Sequence, residues 1–194
     1  MNQVNFSVVP LTLEQVRMVY AERMTQDFPP DELKPLSMIE RMLMRGEYTG
    51  YGAMAGENLL AYALFVTLKE DACALLDYYA VESAHRDRGI GGAFLRALVS
   101  GPLQDMRGVL LEIEDPEAAQ SGDERLLRER RRQFYDRNGM KDSSVSARIF
   151  GVDFLLLAMP VGPELSPDDV RRMYARLYHI MLPQSTYEKQ VIIH

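Results

Sequence analysis

The stretch AVESAHRDRGIGGAFLRAL, residues Ala80–Leu98, changes character twice. It begins as the end of an apolar strand, passes through a turn rich in arginine and glycine, and continues as an apolar-periodic helix. Backbone amides at a helix N-terminus have no intrahelical acceptor, and the helix dipole adds about half a positive charge there. Glycine lets a ligand approach the backbone closely, and Arg86 and Arg88 supply further positive charge. The stretch therefore predicts a site for an anionic group such as a phosphate.

Three phosphate-binding patterns are compared with this turn. A P-loop needs Gly-Lys-Ser/Thr after its second glycine, and no lysine or hydroxyl residue stands there. The dinucleotide fingerprint needs a third glycine where Phe94 stands. The pattern Arg/Gln-x-x-Gly-x-Gly/Ala is filled by Arg86, Gly89 and Gly91. The alternative is a plain strand-to-helix turn whose arginines are solvated.

Length and composition indicate one globular domain that does not bind nucleic acid. The 194 residues are 47% apolar, and the formal net charge is −6, without the basic footprint of nucleic-acid binding. Cys73 is the single cysteine, which excludes an intrachain disulfide, and its apolar setting predicts a buried strand residue. The first residues lack a signal-peptide pattern and no apolar run approaches 18 residues, so we expect a cytoplasmic protein without a membrane span.

The order of elements predicts an α/β fold with a mixed, mostly antiparallel twisted sheet and flanking helices. A short strand and two helices precede a hairpin around Gly56–Glu57–Asn58, and the second helix spans Leu36 to Arg45 with Gly46 as its stop. A central strand–helix–strand crossover follows from Leu75 to Asp115. We interpret residues 1–194 as a single domain, with a core over about residues 5–159 and an extension over residues 160–194 whose tail, TYEKQVIIH, is expected to be a strand.

A second motif, RRRQFYDRNGMK at residues 130–141, lies about 45 residues after the glycine turn. It resembles the Phe-Tyr-x-x-x-Gly-Phe signature of the GCN5-related N-acetyltransferases (GNATs), with Phe134, Tyr135 and Gly139 in place and Met140 where phenylalanine is usual. LLDYYAVESAHRDRGIGGAFLRAL, residues 75–98, is similar to the fourth strand, pyrophosphate loop and following helix of the same family. The family often has asparagine just after the next strand, where this chain has DPEAAQSGD.

The resemblance implies acetyl-CoA as co-substrate. No metal is expected, because His85, His179 and His194 share no metal-ligand spacing. In the family the loop amides hold the pyrophosphate, and the pantetheine arm lies where the fourth and fifth strands splay and pairs with the end of the fourth strand. An amide at or next to Val81 would then polarise the thioester carbonyl. The cofactor-binding residues implied are Tyr79, Ala80, Val81, Arg86, Asp87, Arg88, Gly89, Ile90, Gly91, Gly92, Ala93 and Phe134.

The reaction that the resemblance implies is direct attack of a primary amine on the thioester, with one acid and one base. Tyr135 matches the family's general acid. The alternative is that Tyr135 is an aromatic residue that anchors the C-terminal end of a helix. Candidate bases are strand carboxylates: Glu112, which shares a strand face with Glu114, and Asp77, whose apolar neighbours favour a raised pKa. We favour Glu112 because it is the more interior of the fifth-strand pair.

The acceptor stays open between a small-molecule amine, a peptide N-terminus and a lysine side chain. The pocket for it is expected from the two N-terminal helices, the loop between them and the C-terminal part, with Asp27, Asp31 and Glu32 suited to a cationic amine. A CoA-binding regulatory or interaction module without turnover, and a longer acyl donor, are the alternatives. Dimers are common in the family, so a homodimer is one expected assembly. The arginines of residues 125–132 are expected to form a solvated helix face or to bind a phosphate or an acidic acceptor.

Overall fold

A computed structural model describes residues 5–194. The strands of this part of the chain are β1 (Ser7–Pro10), β2 (Tyr48–Ala55), β3 (Asn58–Leu68), β4 (Cys73–Val81), β5 (Gly108–Glu114), β6 (Lys141–Ile149), β7 (Val152–Pro160) and β8 (Val191–Ile193). The α-helices are α1 (Leu13–Val19), α2 (Thr25–Asp27), α3 (Leu36–Arg45), α4 (Ile90–Ser100), α5 (Gly122–Arg137), α6 (Pro167–Met181) and α7 (Gln184–Gln190), and a π-helical segment, Tyr20–Met24, joins α1 to α2.

The chain divides into two units. One unit holds the residues up to Thr67 together with Asp77–Leu98, and the other holds Leu68–Leu76 together with Val99–His194. Strand β4 contributes its first half to the second unit and its second half to the first. The interpretation of the whole chain as a single domain stays a prediction.

The first unit is built on strands in the order β1-β2-β3-β4. β2 runs antiparallel to both β1 and β3, with Ala53 opposite Val8 and Ala61. β3 is buried from Leu60 onward, which matches its nearly unbroken apolar sequence. Helix α3 packs against β2, and α4 buries Phe94 and Leu95. This core supports the end of β4 and the turn that follows it.

The second unit has the strand order β4-β5-β7-β6-β8. Cys73–Leu76 of β4 pair in parallel with Gly108–Leu111 of β5, while the β5–β7, β7–β6 and β6–β8 pairs are antiparallel. A parallel pair needs a crossover, and α4 supplies it between β4 and β5. The prediction of a mixed, mostly antiparallel sheet with flanking helices and a strand–helix–strand crossover is confirmed.

Local sequence signals set the helix ends, and the end of α3 is as predicted. At the start of α1, the Thr12 hydroxyl accepts from the Gln15 amide and the Gln15 side chain accepts from the Thr12 amide. Ser121 caps α5 by accepting from the Glu124 amide. Helix α3 ends at Arg45, and Gly46 takes φ +69°, the left-handed conformation that terminates many helices.

The predicted final strand is only partly correct. Thr186–Gln190 belong to α7, and the strand is limited to Val191–Ile193. Pro183 begins the helix, and the Gln184 amide side chain bonds Glu188 at 2.7 Å, one helical turn on. β8 pairs with β6 of the same chain, so the tail completes its own sheet.

We expect Gly46→Ala to lower the free energy of unfolding by about 1 kcal/mol, because alanine is strained at φ +69°. For a chain of this size the melting temperature should fall by about 2–4 °C. Gly46→Asn is the matched control, because asparagine tolerates the left-handed region better, and it should lose less. Equal melting temperatures for wild type and Gly46→Ala, measured by calorimetry, would contradict this account of the α3 terminus.

Candidate functional site

The turn between β4 and α4 lies wholly in the first unit. After Val81 the chain makes a 3-10 turn at Ser83–His85, and then Asp87 and Gly89 take φ +60° and +75°. No heavy atom lies within 4 Å of a Cβ built on Gly89, so its backbone conformation, not space, requires glycine there. Left-handed residues next to a helix start are a feature of anion-binding backbone concavities.

The backbone amides of this turn have no acceptor. Within residues 5–194, no carbonyl or side-chain oxygen accepts a hydrogen bond from the amides of residues 87–92. The first bond of the helix runs from the Ala93 amide to the Gly89 carbonyl at 3.1 Å. Residues 87–89 are exposed, whereas Ile90, Gly91 and Gly92 are buried. These amides can donate hydrogen bonds to an anion without breaking any bond within residues 5–194.

Tyr79 fixes the start of α4. Its hydroxyl donates to the Gly91 carbonyl at 2.5 Å, and its ring stacks on Phe94 with centroids 5.8 Å apart. Tyr79 is two residues from the end of β4, so strand and helix are joined by a direct side-chain tether.

The two arginines of the turn have different environments. Arg86 donates from Nε to the Val81 carbonyl at 3.0 Å and pairs through Nη2 with Asp27 at 2.9 Å. Tyr62 donates to the other oxygen of Asp27, and burial together with that carboxylate raises the pKa of Tyr62. Arg88 is exposed, and no carboxylate in the described part of the chain pairs with it. The Arg86 side chain thus already has two partners, Val81 and Asp27, whereas the Arg88 side chain is available to a ligand.

Asp77 is held between a cation and a phenol. Its side chain is 8% exposed; Oδ1 accepts from Lys34 Nζ at 2.6 Å, and Oδ2 accepts from the Tyr48 hydroxyl at 2.5 Å. Burial first, and then the Asp77 charge, raise the pKa of Tyr48 well above its usual value. Both carboxylate oxygens therefore already have strong partners.

The loop that carries Lys34, residues 28–35, is fixed to the first unit by tyrosines. Tyr78 donates to the Glu32 carbonyl at 2.9 Å and accepts from the Lys34 amide at 2.8 Å. Tyr20 donates to the Lys34 carbonyl at 3.0 Å, and Phe28 packs edge-on against Tyr78. Sequence reasoning did not identify Lys34, Tyr48 or Tyr20, because their partners are distant in the chain.

Glu112 and Glu114 belong to the second unit and have different partners. Glu112 accepts a hydrogen bond from Tyr174 at 2.6 Å, and Tyr174 also bonds Tyr178. Burial raises the pKa of Tyr174 well above its usual value, and the Glu112 charge adds to this. Glu114 instead pairs with the buried Arg128 at 2.9 Å, which ties α5 to β5.

Tyr135 lies in the last turn of α5 in the second unit and is 7% exposed. Burial raises its pKa to about 12, and the positive charge of Arg131 opposes the shift. Its backbone carbonyl accepts from the Met140 amide, and its ring meets Phe134 edge-on at 5.1 Å. No hydrogen-bond partner of its hydroxyl is found among residues 5–194.

The arginines of α5 are mostly engaged in ion pairs. Arg125 pairs with Glu117 and Glu129, and Arg132 pairs with Asp142 at 3.0 Å. Arg130 is exposed and lacks a carboxylate partner in the described region. An ion-paired helix face describes this run better than an anion site.

Cys73 is buried, as predicted, and burial raises the pKa of its thiol to about 12. No group of three or more His, Cys, Asp or Glu residues among residues 5–194 is arranged to hold a metal ion. None of the helices in this range is long and apolar enough to cross a membrane.

Comparison with known proteins identifies the family. Residues 13–121, more than half of the chain, match the model described as the Acetyltransferase (GNAT) family. The matched range includes the turn after β4 and ends before Phe134 and Tyr135. The search of curated protein sequences gives no match.

Solved structures show the same fold at low sequence identity. A putative GNAT-family acetyltransferase from Bacteroides thetaiotaomicron is 19% identical, with 89% of this chain and 96% of that chain covered and a TM-score of 0.67. The ribosomal-protein-S18-alanine N-acetyltransferase from Escherichia coli is 16% identical, with 83% and 97% covered and a TM-score of 0.57. A dodecameric spermidine N-acetyltransferase from Vibrio cholerae is 7% identical, with 82% and 95% covered and a TM-score of 0.59.

The matched range contains the β4–α4 turn with its unpaired amides, and these structural neighbours share the fold around it. The chain therefore belongs to the GNAT family of acetyltransferases, which use acetyl-CoA as co-substrate.

Proposed function

We propose that this protein transfers an acetyl group from acetyl-CoA to a primary amine by direct attack of the amine on the thioester. The observation that carries the proposal is the row of unpaired amides at residues 87–92, at the start of an 11-residue helix in a GNAT-family chain. Acetyl-CoA supplies the activated acyl group, and its pyrophosphate matches the charge and donor geometry of this turn.

The first unit binds the co-substrate in this proposal. The amides of residues 87–92 and the Arg88 side chain bind the pyrophosphate, whereas the Ala93 amide, also a candidate from the sequence, is bonded to the Gly89 carbonyl. The backbone of Tyr79, Ala80 and Val81 binds the pantetheine arm. Arg86 contributes indirectly, since its guanidinium joins Asp27 to the Val81 carbonyl and so fixes the loop. Phe134, which belongs to the family signature, stays a proposed cofactor-binding residue.

Tyr135 is the proposed general acid. Its buried phenol, with a pKa of about 12, keeps its proton at neutral pH and has a hydroxyl without a partner among residues 5–194. A leaving CoA thiolate needs one proton, and a neutral phenol within reach can donate it. The family signature around residues 134–139 supports the same role.

Glu112 is the proposed base, with Asp77 as the second candidate. The Tyr174 hydroxyl orients the Glu112 carboxylate, and Tyr178 supports Tyr174 in turn. Asp77 is less suited to accept a proton, because Lys34 and Tyr48 already donate to its two oxygens. A base needs a free lone pair directed at the amine or at a bridging water.

Two classes of acceptor are the first to test. Structural neighbours include enzymes named for a ribosomal-protein alanine and for spermidine, so an N-terminal peptide amine and a polyamine are reasonable substrates for a screen. Release of free thiol from acetyl-CoA in the presence of these amines separates an acetyltransferase from a CoA-binding module without turnover.

Calorimetric titration with acetyl-CoA and CoA tests the binding turn. We expect the wild type to bind both, and Arg88→Glu combined with Gly91→Asp to weaken binding at least about 100-fold, because both changes place negative charge at the pyrophosphate. Arg41→Glu on α3 is the matched control for the charge change and should bind normally. A folded wild-type protein that binds neither compound would refute the proposed function.

Steady-state kinetics with an amine from the screen test the acid and the base. Tyr135→Phe and Glu112→Gln should each lower kcat by about 100-fold or more, which is the usual contribution of a positioned acid or base. Affinity for acetyl-CoA should be retained in both variants. Glu114→Gln is the control on the same strand, and its kcat should stay within a few-fold of wild type. Unchanged kcat in Tyr135→Phe at all pH values would remove the acid role.

The raised pKa of Tyr135 also predicts how stability depends on pH. The folded protein holds this proton up to a pKa of about 12, whereas the ordinary pKa of a tyrosine is about 10. The stabilising contribution is therefore complete below about pH 10 and is lost as the pH rises through about 12. The free energy of unfolding of wild type should fall relative to that of Tyr135→Phe as the pH rises from about 10 to about 12 in urea denaturation. A difference independent of pH would show that Tyr135 is not perturbed by burial.

A further inference from the structure

Asp77 binds the ammonium group of Lys34 in a nearly buried environment. The carboxylate is nearly buried, and it holds Lys34 Nζ at 2.6 Å on Oδ1. The Tyr48 hydroxyl donates to the second oxygen, and the ring of Tyr78 lies 5.3 Å from the same ammonium. A charged hydrogen-bond acceptor together with an aromatic face is the usual way for a protein to bind an alkylammonium ion.

The ammonium group bound to Asp77 belongs to Lys34, which lies in a partly exposed loop. Lys34 belongs to the loop of residues 28–35, in which residues 29–32 are exposed, and its own side chain is 25% exposed. Tyr20 and Tyr78 hold the backbone of Lys34 through its carbonyl and amide. The four-carbon side chain can therefore leave Asp77 for solvent while the loop stays in place.

A buried carboxylate without a partner is strongly unfavourable, so Asp77 needs a cation whenever Lys34 leaves it. Within the described part of the first unit, Lys34 is the cation that pairs with Asp77, while Arg23 pairs with Glu82 and Arg86 pairs with Asp27. An external alkylammonium ion that takes the place of Lys34 satisfies the same requirement.

We propose that Asp77, Tyr48 and the ring of Tyr78 form a binding site for an ammonium group of the acceptor, and that Lys34 occupies it in competition with the substrate. This inference rests on the proposed acetyl transfer. A nitrogen held as ammonium has no lone pair and cannot attack the thioester. The acceptor is therefore a diamine or polyamine, in which one nitrogen is bound as the cation and another, neutral nitrogen receives the acetyl group.

Binding is tested without acetyl-CoA, by thermal unfolding of Lys34→Ala in n-propylammonium chloride. Propylammonium replaces the part of the lysine side chain that this variant lacks. We expect propylammonium to raise the melting temperature by about 3 °C or more relative to sodium chloride at equal ionic strength. The rise should level off with increasing propylammonium concentration, as binding to one site requires. Tetramethylammonium, which has no N–H donor, should act only like sodium chloride. The double variant Lys34→Ala, Asp77→Asn should not respond to propylammonium.

Two results would overturn the inference. One is the same melting temperature of Lys34→Ala in propylammonium chloride and in sodium chloride. The other is the same rise in melting temperature in the double variant as in Lys34→Ala. If Lys34→Ala does not fold in sodium chloride, recovery of its native circular dichroism spectrum in propylammonium chloride is measured instead, and no recovery would overturn the inference. In turnover, 1,3-diaminopropane should be preferred to n-propylamine. Lys34→Gln should lower the KM for the diamine about tenfold and Asp77→Asn should raise it about tenfold, with the KM for acetyl-CoA unchanged.

The two proposals fail separately. Normal CoA binding and acetyl transfer, with a diamine KM that is the same in Asp77→Asn and wild type, would overturn the ammonium site alone. Absence of CoA binding would overturn the acetyl transfer, and the thermal response of Lys34→Ala would still decide whether Asp77 binds an alkylammonium ion.

Discussion

Helix α4 begins with amides that the protein leaves unpaired. In α1, α5 and α6 a threonine or serine side chain accepts from an N-terminal amide, whereas α3 and α7 follow a proline and have no side-chain cap. No described side chain does this for residues 87–92. Three of these residues are buried, so the missing acceptors cost stability in the free protein. An anion bound there would offset that cost, because it would accept hydrogen bonds from the N-terminal amides of α4.

The rest of the first unit keeps the start of α4 in this conformation. Tyr79 bonds the Gly91 carbonyl, and Arg86 connects Asp27 to the end of β4. Asp27 is the last residue of α2, and Tyr62 of β3 secures it from the sheet. Asp27, which the sequence suggested as a partner for a cationic amine, thus has Arg86 and Tyr62 as its partners in this structure.

Local patterns made most of the fold predictable, and long-range side-chain pairs limited the prediction of the site. The Gly46 terminus and the hairpin at Gly56 depend on residues a few positions apart, and both are as predicted. The pairs Asp27–Arg86 and Lys34–Asp77 join residues 59 and 43 positions apart, which no local spacing encodes. The tail was misassigned because its helix is set by Pro183, outside the stretch that was interpreted as a strand.

Asp77 and Glu112 show why residue type alone does not assign a role. Both are acidic residues on central strands with apolar neighbours, and the sequence made both candidate bases. Asp77 has a lysine ammonium on one oxygen and a phenol on the other, so its surroundings favour holding a cation. Glu112 is oriented by a phenol whose pKa burial raises well above its usual value, so this partner stays a neutral donor. The two carboxylates therefore support different proposals, Glu112 as a base that is oriented by a neutral phenol and Asp77 as a group that holds a cation.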